Sequence, residues 1–292
     1  MGTSFSGGGP VDKIPLLPVW ALTGGGDGGN SIHADVPQDG ESGGAESAKD
    51  PNNGSEQSDQ PPAAAPSPAY WSAAKRRLGV VASHSGGRAR IARAGRAYVK
   101  ARGGAKKAAS SATSARGATA RLGGFLSNVS NLGVRQALDS LGLGRFIGRN
   151  AHEVFAAIVD ALAPEGTNLE QSATRLAIEQ TLAGLFEEYV APDGDVTALE
   201  AMTPDSIRLA IEASVAASIF NRWLVDLERK LEEKAMTPAQ AVKLERDMDA
   251  YIRDTVKLDL KDIDPLKMRW DAAEGATFIE QIYQEAYSIL GR

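Results

Sequence analysis

The 292-residue sequence contains no cysteine, only three histidines and few aromatic residues. The absence of cysteine excludes disulfide bridges, cysteine-ligated zinc, iron–sulfur clusters and a cysteine nucleophile. His33, His84 and His152 lie far apart, and none has a second ligand at metal-binding spacing. Because no run of about 18 apolar residues is present, we predict no membrane span. A basic start followed by an unbroken apolar core is also missing, so we expect a cytoplasmic protein.

Charged residues divide the chain into three blocks. Residues 1–69 carry 2 Lys/Arg and 9 Asp/Glu. Residues 70–124 carry 13 Lys/Arg and no acid, whereas residues 125–292 carry 17 Lys/Arg and 28 Asp/Glu. This distribution argues against one uniform globular enzyme and predicts an acidic tail, a basic segment and a third domain.

The acidic tail, residues 1–69, is predicted to be a disordered arm. It holds 13 of the 31 glycines and 9 of the 14 prolines, a composition typical of segments that bury too little apolar surface to fold. One apolar stretch from Ile14 to Trp20 interrupts it, and its prolines favour an extended, polyproline-like peptide. We interpret this stretch as a docking peptide, because exposed tryptophan often anchors an interface. Its predicted partner-binding residues are Leu16, Leu17, Val19 and Trp20.

The basic segment, residues 70–124, combines cations with small residues. Glycine pairs at 86–87, 103–104 and 123–124 are expected to break it into short helices, with Ile91 and Val99 on a different flank from the cations. One interpretation is a basic arm that binds the phosphates of nucleic acid. The other is a linker that folds back on the acidic parts of its own chain. The candidate nucleic-acid-binding residues are Arg88, Arg90, Arg93, Arg96 and Lys100.

Residues 125–292 are predicted to form an all-α helical bundle. Two capping boxes, Asn150–Glu153 and Thr167–Glu170, precede apolar residues at helical spacing. Three further helices are predicted to begin with a cap followed by proline, at 203–204, 237–238 and 264–265. In the last helix, Gly275 is expected to mark a kink or break.

Sequence motifs of catalysis are missing. Residues 24–29 formally match the glycine pattern of dinucleotide-binding folds, but no strand is predicted before them and no helix after them. The sequence contains no P-loop and no nucleophile elbow. We therefore expect a protein that is not an enzyme and that requires no metal or cofactor.

Gly2 is the candidate modification site. Removal of Met1 would expose the Gly2 α-amine, which has a lower pKa than a lysine side chain and is therefore partly neutral at cytoplasmic pH. The small residues that follow, including Thr3 and Ser4, allow this amine to enter a narrow active site. The start also satisfies the loose N-myristoylation pattern, and a frayed terminus is the remaining interpretation.

Several short stretches carry a family resemblance that extends over nearly the whole chain. They are Met1-Gly2-Thr3-Ser4, Ser6-Gly7-Gly8-Gly9-Pro10, Pro15 with Pro18-Val19-Trp20, Phe220-Asn221-Arg222-Trp223 and Tyr251-Ile252-Arg253-Asp254-Thr255-Val256. With them the sequence resembles QatB, the non-enzymatic subunit of the Qat anti-phage system. The resemblance implies a defence operon that also encodes an ATPase, a QueC-like enzyme and a TatD-like nuclease.

The resemblance further implies that the QueC-like partner acts on the N-terminus of this subunit. QueC chemistry adenylates a deazaguanine carboxylate for attack by ammonia, and a protein α-amine in place of ammonia would give an amide-linked deazaguanine. Gly2 fits the acceptor role, with Thr3 and Ser4 as partner-binding residues. Two alternatives stay open: a nucleic-acid-binding adaptor that uses residues 75–121, and a structural scaffold.

Overall fold

The computed structural model describes residues 68–83, 87–191, 194–232 and 237–292. These residues are mainly helical and contain no strand, which confirms the predicted all-α class. Residues 1–67, which include Gly2, Thr3, Ser4 and the docking peptide, lie outside the described residues.

The α-helices in chain order are α1 (Pro68–Ser83), α2 (Arg88–Ala101), α3 (Ala105–Ser110), α4 (Thr113–Leu132), α5 (Val134–Ser140), α6 (Ala151–Leu162), α7 (Leu169–Leu185), α8 (Pro204–Glu232), α9 (Pro238–Thr255) and α10 (Ala273–Leu290). Short 3-10 helices at Gly144–Phe146 and Val196–Ala201 and a π-helical turn at Phe186–Val190 connect them.

Helices α1 and α2 follow one another closely and pack together, and we call this pair the basic hairpin. Each helix buries one apolar face, because its apolar residues recur every three or four positions. Ile91 and Val99 are buried, whereas Arg93 and Lys100 are exposed, as predicted for opposite flanks of α2. The basic hairpin thus shares a continuous core with the rest of the described chain.

We call helices α3 to α10 the helical body, and α4 is its central helix. Helix α4 packs against α5, α7, α8 and α10, and α7 and α8 form the most extensive helix pair. Their contacts bury large side chains from distant parts of the sequence in one core. Fully buried examples are Phe125, Phe155, Ile158, Trp223, Tyr283 and Tyr287.

Two predicted helix starts are confirmed, one with half of the expected capping box and the other with both of its bonds. At α6, the Glu153 backbone N–H donates to the Asn150 side chain at 2.9 Å. At α9, the Gln240 N–H donates to Thr237 at 3.3 Å, and the Thr237 N–H donates to the Gln240 side chain at 2.9 Å. These bonds satisfy backbone donors that have no partner within the helix.

The capping box predicted at Thr167–Glu170 is wrong by one residue. Asn168 caps α7, and its side chain accepts the Gln171 N–H at 2.9 Å. The Gln171 side chain in turn accepts the Thr167 N–H at 2.9 Å. Asparagine is a stronger N-cap than threonine, so the helix begins one residue later than the sequence pattern suggested.

The helix predicted to begin at Asp264–Pro265 is absent, because residues 256–272 form turns. The Asp264 carboxylate accepts the Leu266 N–H at 3.1 Å, as a helix cap would, but only one turn follows. The buried Trp270 indole N–H donates to the Pro265 carbonyl at 2.9 Å and folds the chain back. Gly275 then lies in the first turn of α10, where an added Cβ would come within 2.7 Å of the Trp270 backbone. It therefore permits a close approach and does not mark a kink.

The break predicted at Gly123–Gly124 is also wrong, since α4 continues through both glycines. The Trp270 ring packs directly on this part of α4, and a Cβ on Gly123 would lie 2.7 Å from it. Packing against the tryptophan therefore overrides the low helix propensity of glycine. The boundary expected between residues 124 and 125 falls inside this helix. By contrast, Gly87 and Gly103 do separate helices, with φ angles of 102° and 88°.

Candidate functional site

The described residues hold no group of three or more His, Asp or Glu side chains placed to bind a metal. In this part of the chain no helix is both long and apolar enough to cross a membrane. The chemically distinctive features are the cationic surface of the basic hairpin and the polar joint that fixes the hairpin to the helical body.

The surface of the basic hairpin is uniformly cationic, because no Asp or Glu occurs between Asp59 and Asp139. Helix α1 contributes Lys75, Arg76 and Arg77, all of which are exposed. Along α2, Arg93, Arg96 and Lys100 recur at spacings of three and four residues on the exposed flank. Such spacing places like charges side by side on one helix, where they repel one another.

The five cations predicted to bind nucleic acid have different environments. Arg88 forms an ion pair of 2.9 Å with Asp254 on α9, and its guanidinium lies 5.5 Å from the Tyr251 ring centre. Arg96 donates to the backbone carbonyl of Arg292 at 2.8 Å. Two of the five therefore contact parts of the chain outside the hairpin.

The other three differ in exposure. The Lys100 ammonium lies 4.7 Å from the ring centre of Tyr70 on α1. Arg93 is exposed, whereas Arg90 is half-buried and makes contacts of its own. The exposed cations of α1, Lys75, Arg76 and Arg77, extend this surface beyond the five named candidates and lie within the range 75–121 considered for an adaptor.

An aromatic stack joins the basic hairpin to α8. Tyr98 of α2 and Trp223 of α8 are both completely buried, and their rings stack at 5.5 Å with an interplanar angle of 14°. The ring of Trp71 on α1 packs edge-to-face with that of Tyr98, and their centres are 6.3 Å apart. The Trp223 indole N–H has no hydrogen-bond partner among the described residues, so stacking and burial hold this contact together.

Asp226 lies at the rim of this stack and accepts hydrogen bonds from the hairpin side. The Tyr98 hydroxyl donates to Asp226 at 2.8 Å, and the Arg102 guanidinium donates to the same carboxylate oxygen. Arg102 also lies 5.6 Å from the Trp71 ring centre. Burial raises the pKa of Tyr98 well above its usual value, and the nearby Tyr287 and Asp226 raise it further. The Tyr98 hydroxyl consequently remains a donor to Asp226 at any physiological pH.

Arg222, next to the stacked tryptophan, fastens the end of α3. Its buried guanidinium donates to the Ala108 carbonyl at 3.0 Å and to the Ser111 carbonyl at 2.8 Å. A third bond of 3.0 Å reaches the Ser111 hydroxyl. The two carbonyls lie at the end of α3, where the helix itself supplies no backbone N–H to bond them. The role of Arg222 is therefore to bind the segment between α2 and α4 to α8.

A second buried polar cluster lies within the helical body. The Thr119 hydroxyl hydrogen-bonds Ser214 at 2.9 Å and Tyr283 at 3.0 Å. Burial raises the pKa of Tyr283 to about 12, against the lowering effect of its bonds to Ser218 and Thr119. All these partners are hydroxyl groups, none of which is a strong general base at neutral pH. The arrangement therefore ties three helices together and lacks the base that activates a serine or threonine nucleophile.

Residues 103–290 match the model of the family described as "Qat anti-phage system associated protein QatB". The chain belongs to the QatB family. No curated protein and no solved structure matches the chain.

The protein is thus a subunit associated with an anti-phage defence system, as the sequence resemblance predicted. The family match covers α3 to α10 and begins after α2, so the basic hairpin lies before it. Within the match, both sequence stretches that carried the resemblance contact the hairpin. Trp223 of the first stretch stacks on Tyr98, and Tyr251 and Asp254 of the second stretch contact Arg88.

The joint between the hairpin and the body was not predicted from the sequence. Trp223 entered only as part of a stretch that carries the family resemblance, and Asp226 had no predicted role. The available signal was an aspartate three residues after a tryptophan in a long helix, near an acid-free segment. An aspartate at this spacing is common in surface helices and does not by itself predict a joint. Only the fold brings Tyr98 and Arg102 to Asp226.

Proposed function

We propose that this QatB-family protein is a non-enzymatic, cytoplasmic carrier whose N-terminal Gly2 amine accepts a deazaguanine group from a QueC-like enzyme. The observation that carries the proposal is the start of the chain. Three small residues, Gly2, Thr3 and Ser4, precede a long glycine- and proline-rich segment, and the first described helix begins at Pro68.

The chemistry requires an uncharged amine with little steric bulk. ATP and the deazaguanine carboxylate give an acyl adenylate and pyrophosphate. The Gly2 nitrogen attacks the acyl carbon, AMP leaves, and the nitrogen loses a proton to form the amide. An α-amine suits this step better than a lysine, because a larger fraction of it is neutral near pH 7.

In this proposal, Thr3 and Ser4 follow the amine into the active site of the partner enzyme. Leu16, Leu17, Val19 and Trp20 bind the partner outside that site, which places the reacting amine at high local concentration. The helical body anchors the arm and presents surfaces to the other operon proteins. The expected operon partners are the ATPase and the TatD-like nuclease.

Mass spectrometry of the protein co-expressed with its operon tests the proposal. We expect loss of Met1 and one deazaguanine adduct on the N-terminal peptide. Gly2→Pro, which leaves a hindered secondary amine, should abolish both the adduct and phage protection. Gly28→Ala is the matched control in the same segment and should retain both. An unmodified wild-type terminus, or full protection by Gly2→Pro, would contradict the proposal and favour the scaffold alternative.

The exposed cations of the basic hairpin favour a second candidate, a nucleic-acid-binding adaptor. Because Arg88 and Arg96 contact other parts of the chain, the available cations are Arg93, Lys100 and those of α1. Binding of this type weakens steeply with salt, since each neutralised phosphate releases counterions. Replacing Arg76, Arg77 and Arg93 with glutamine should reduce the salt dependence of DNA or RNA binding. No binding at low salt by the wild type would exclude this adaptor.

A further inference from the structure

We propose that the acidic segment of the tail, residues 27–59, docks on the exposed cationic surface of the basic hairpin in the same chain. This segment carries eight acidic residues and one lysine. The acidic residues are Asp27, Asp35, Asp39, Glu41, Glu46, Asp50, Glu56 and Asp59. The inference is independent of any modification of Gly2.

A nearby anion would stabilise the surface of the basic hairpin. Arg93, Arg96 and Lys100 stand side by side along α2, and neither hairpin helix contains a carboxylate that could separate their charges. Each pair of like charges at such a spacing destabilises a helix by about 0.2–0.5 kcal/mol. At one end of the row the fold already supplies a carboxylate from elsewhere in the chain, since Asp254 pairs with Arg88.

The chain geometry brings the acidic segment to this surface. Asp59 is separated from Pro68, the first residue of α1, by eight residues. An extended chain of that length spans about 30 Å, whereas the sixteen residues of α1 are about 24 Å long. An extended chain of this length therefore allows the acidic segment to reach every part of the hairpin, and a tether of eight residues gives it a millimolar effective concentration there.

The same observations favour the tail over nucleic acid as the occupant. Arg88 and Arg96 are already bound by other parts of this chain. Tyr70 is the one large aromatic residue of the hairpin with an exposed ring, and Lys100 covers it. Single-stranded nucleic acid binders usually offer several stacking platforms. A tethered polyanion needs no stacking and competes with any external anion.

Carbodiimide cross-linking of the full-length protein tests the docking directly, because it joins lysine amines only to carboxylates in contact with them. At low salt we expect cross-links from Lys75 and Lys100, the two lysines of the hairpin, to residues 27–59. They should fall several-fold at about 1 M salt, where the Debye length is about 3 Å. The pair Lys257–Glu212, 3.3 Å apart in the folded body, serves as the internal control and should persist.

Two further measurements make the result decisive. In a mixture of unlabelled and ¹⁵N-labelled protein, the cross-links should join peptides of the same isotope. The triple variant Arg76→Gln, Arg77→Gln and Arg93→Gln keeps the reporter lysines and should lose most of these cross-links. The matched variant Arg135→Gln, Arg145→Gln and Arg149→Gln changes the net charge equally, on exposed residues of the body, and should keep them. Cross-links between different isotopes, or equal yields in both variants, would overturn the proposal.

Nucleic acid binding gives an independent outcome. Replacing Asp35, Asp39, Glu41, Glu46 and Asp50 with their amides should uncover the cationic surface and tighten binding of a short DNA duplex about tenfold or more, since a competitor at millimolar effective concentration is removed. The matched control replaces the exposed acids Glu165, Glu187, Glu188, Asp259 and Asp262. Equal DNA affinity of wild type and tail variant, with no cross-links to the tail, would overturn the docking.

Discussion

The basic hairpin and the helical body consist of the same secondary structure, but their exposed faces are built differently. The body alternates charges along its helices, as in the ion pairs of Lys243 with Asp247 and of Arg253 with Asp249 one turn away. The hairpin has no carboxylate of its own and takes Asp254 and Asp226 from the body. A region can therefore share a continuous core with its neighbours and still depend on other segments for its electrostatics.

Trp223→Ala is expected to have the largest effect, because it removes the central ring of the joint between the two regions. Truncation of a fully buried tryptophan lowers the free energy of unfolding by about 3–5 kcal/mol. Urea denaturation followed by circular dichroism measures this loss. Trp71→Ala, at the half-buried rim of the same stack, should cost less. A loss below about 1 kcal/mol for Trp223→Ala would show that other contacts hold the hairpin.

Alkaline pH is expected to weaken both regions through buried tyrosines. Burial raises the pKa of Tyr283 in the body to about 12 and also raises the pKa of Tyr98 in the hairpin. An unfolded tyrosine ionises near pH 10, so each contribution is complete below that pH. It is lost as pH rises through the folded-state pKa, by about 1.4 kcal/mol per pH unit.

Substitution separates these contributions. Tyr283→Phe should reduce the slope of the unfolding free energy between about pH 10 and 12 by about 1.4 kcal/mol per unit. Thr119→Val removes the same 3.0 Å hydrogen bond but leaves the Tyr283 hydroxyl, so it should retain the wild-type slope. An unchanged slope in Tyr283→Phe would mean that this hydroxyl ionises in the folded state as readily as in the unfolded chain.

Two glycines of α4 should respond in opposite directions to the same substitution. At Gly123 a Cβ would lie 2.7 Å from the Trp270 ring, and overpacking of this kind costs about 1–3 kcal/mol. At Gly117 the nearest atom belongs to the flexible Arg121 side chain at 3.5 Å, so alanine should stabilise the helix by about 0.5–1 kcal/mol. Thermal unfolding of both variants measures the difference. Equal shifts would show that Trp270 does not press on α4.

The smallest effect is expected at the exposed ion pair between the two regions. The side chains of Arg88 and Asp254 are 65% and 61% exposed, and such pairs contribute about 0–1 kcal/mol. A double-mutant cycle with Arg88→Gln and Asp254→Asn measures their coupling. Coupling above about 2 kcal/mol would indicate that charge, and not the aromatic stack, dominates the attachment of the hairpin.

Helix starts were predictable because their signals are local. Asn150 and Thr237 cap helices as expected, since a capping bond spans only three residues. The same local signal at Asp264 produced a single turn, because Trp270 bonds back to Pro265 and stops the helix. The sequence contains both residues, but no local pattern in it predicts that Trp270 and Pro265 form a hydrogen bond.

The composition of the candidate surface was predictable from the sequence, but the contacts that its individual cations make were not. The lack of acids in residues 70–124 identified a cationic region, and helical spacing placed Arg93 and Lys100 on its exposed flank. The sequence could not indicate that Arg88 and Arg96 serve internal contacts. Their partners, Asp254 and the Arg292 carbonyl, lie more than 160 residues away.

By itself the sequence determined the all-α class, most helix starts, the segregation of charge and the family resemblance. Each of these depends on composition, on interactions within one helical turn or on short motifs. Only the tertiary structure decided that α4 continues through Gly123 and that Trp223 stacks on Tyr98. It also placed Asp226 beside Arg102. These outcomes depend on which distant side chains share one space, and close packing fixes that choice only when the whole core has formed.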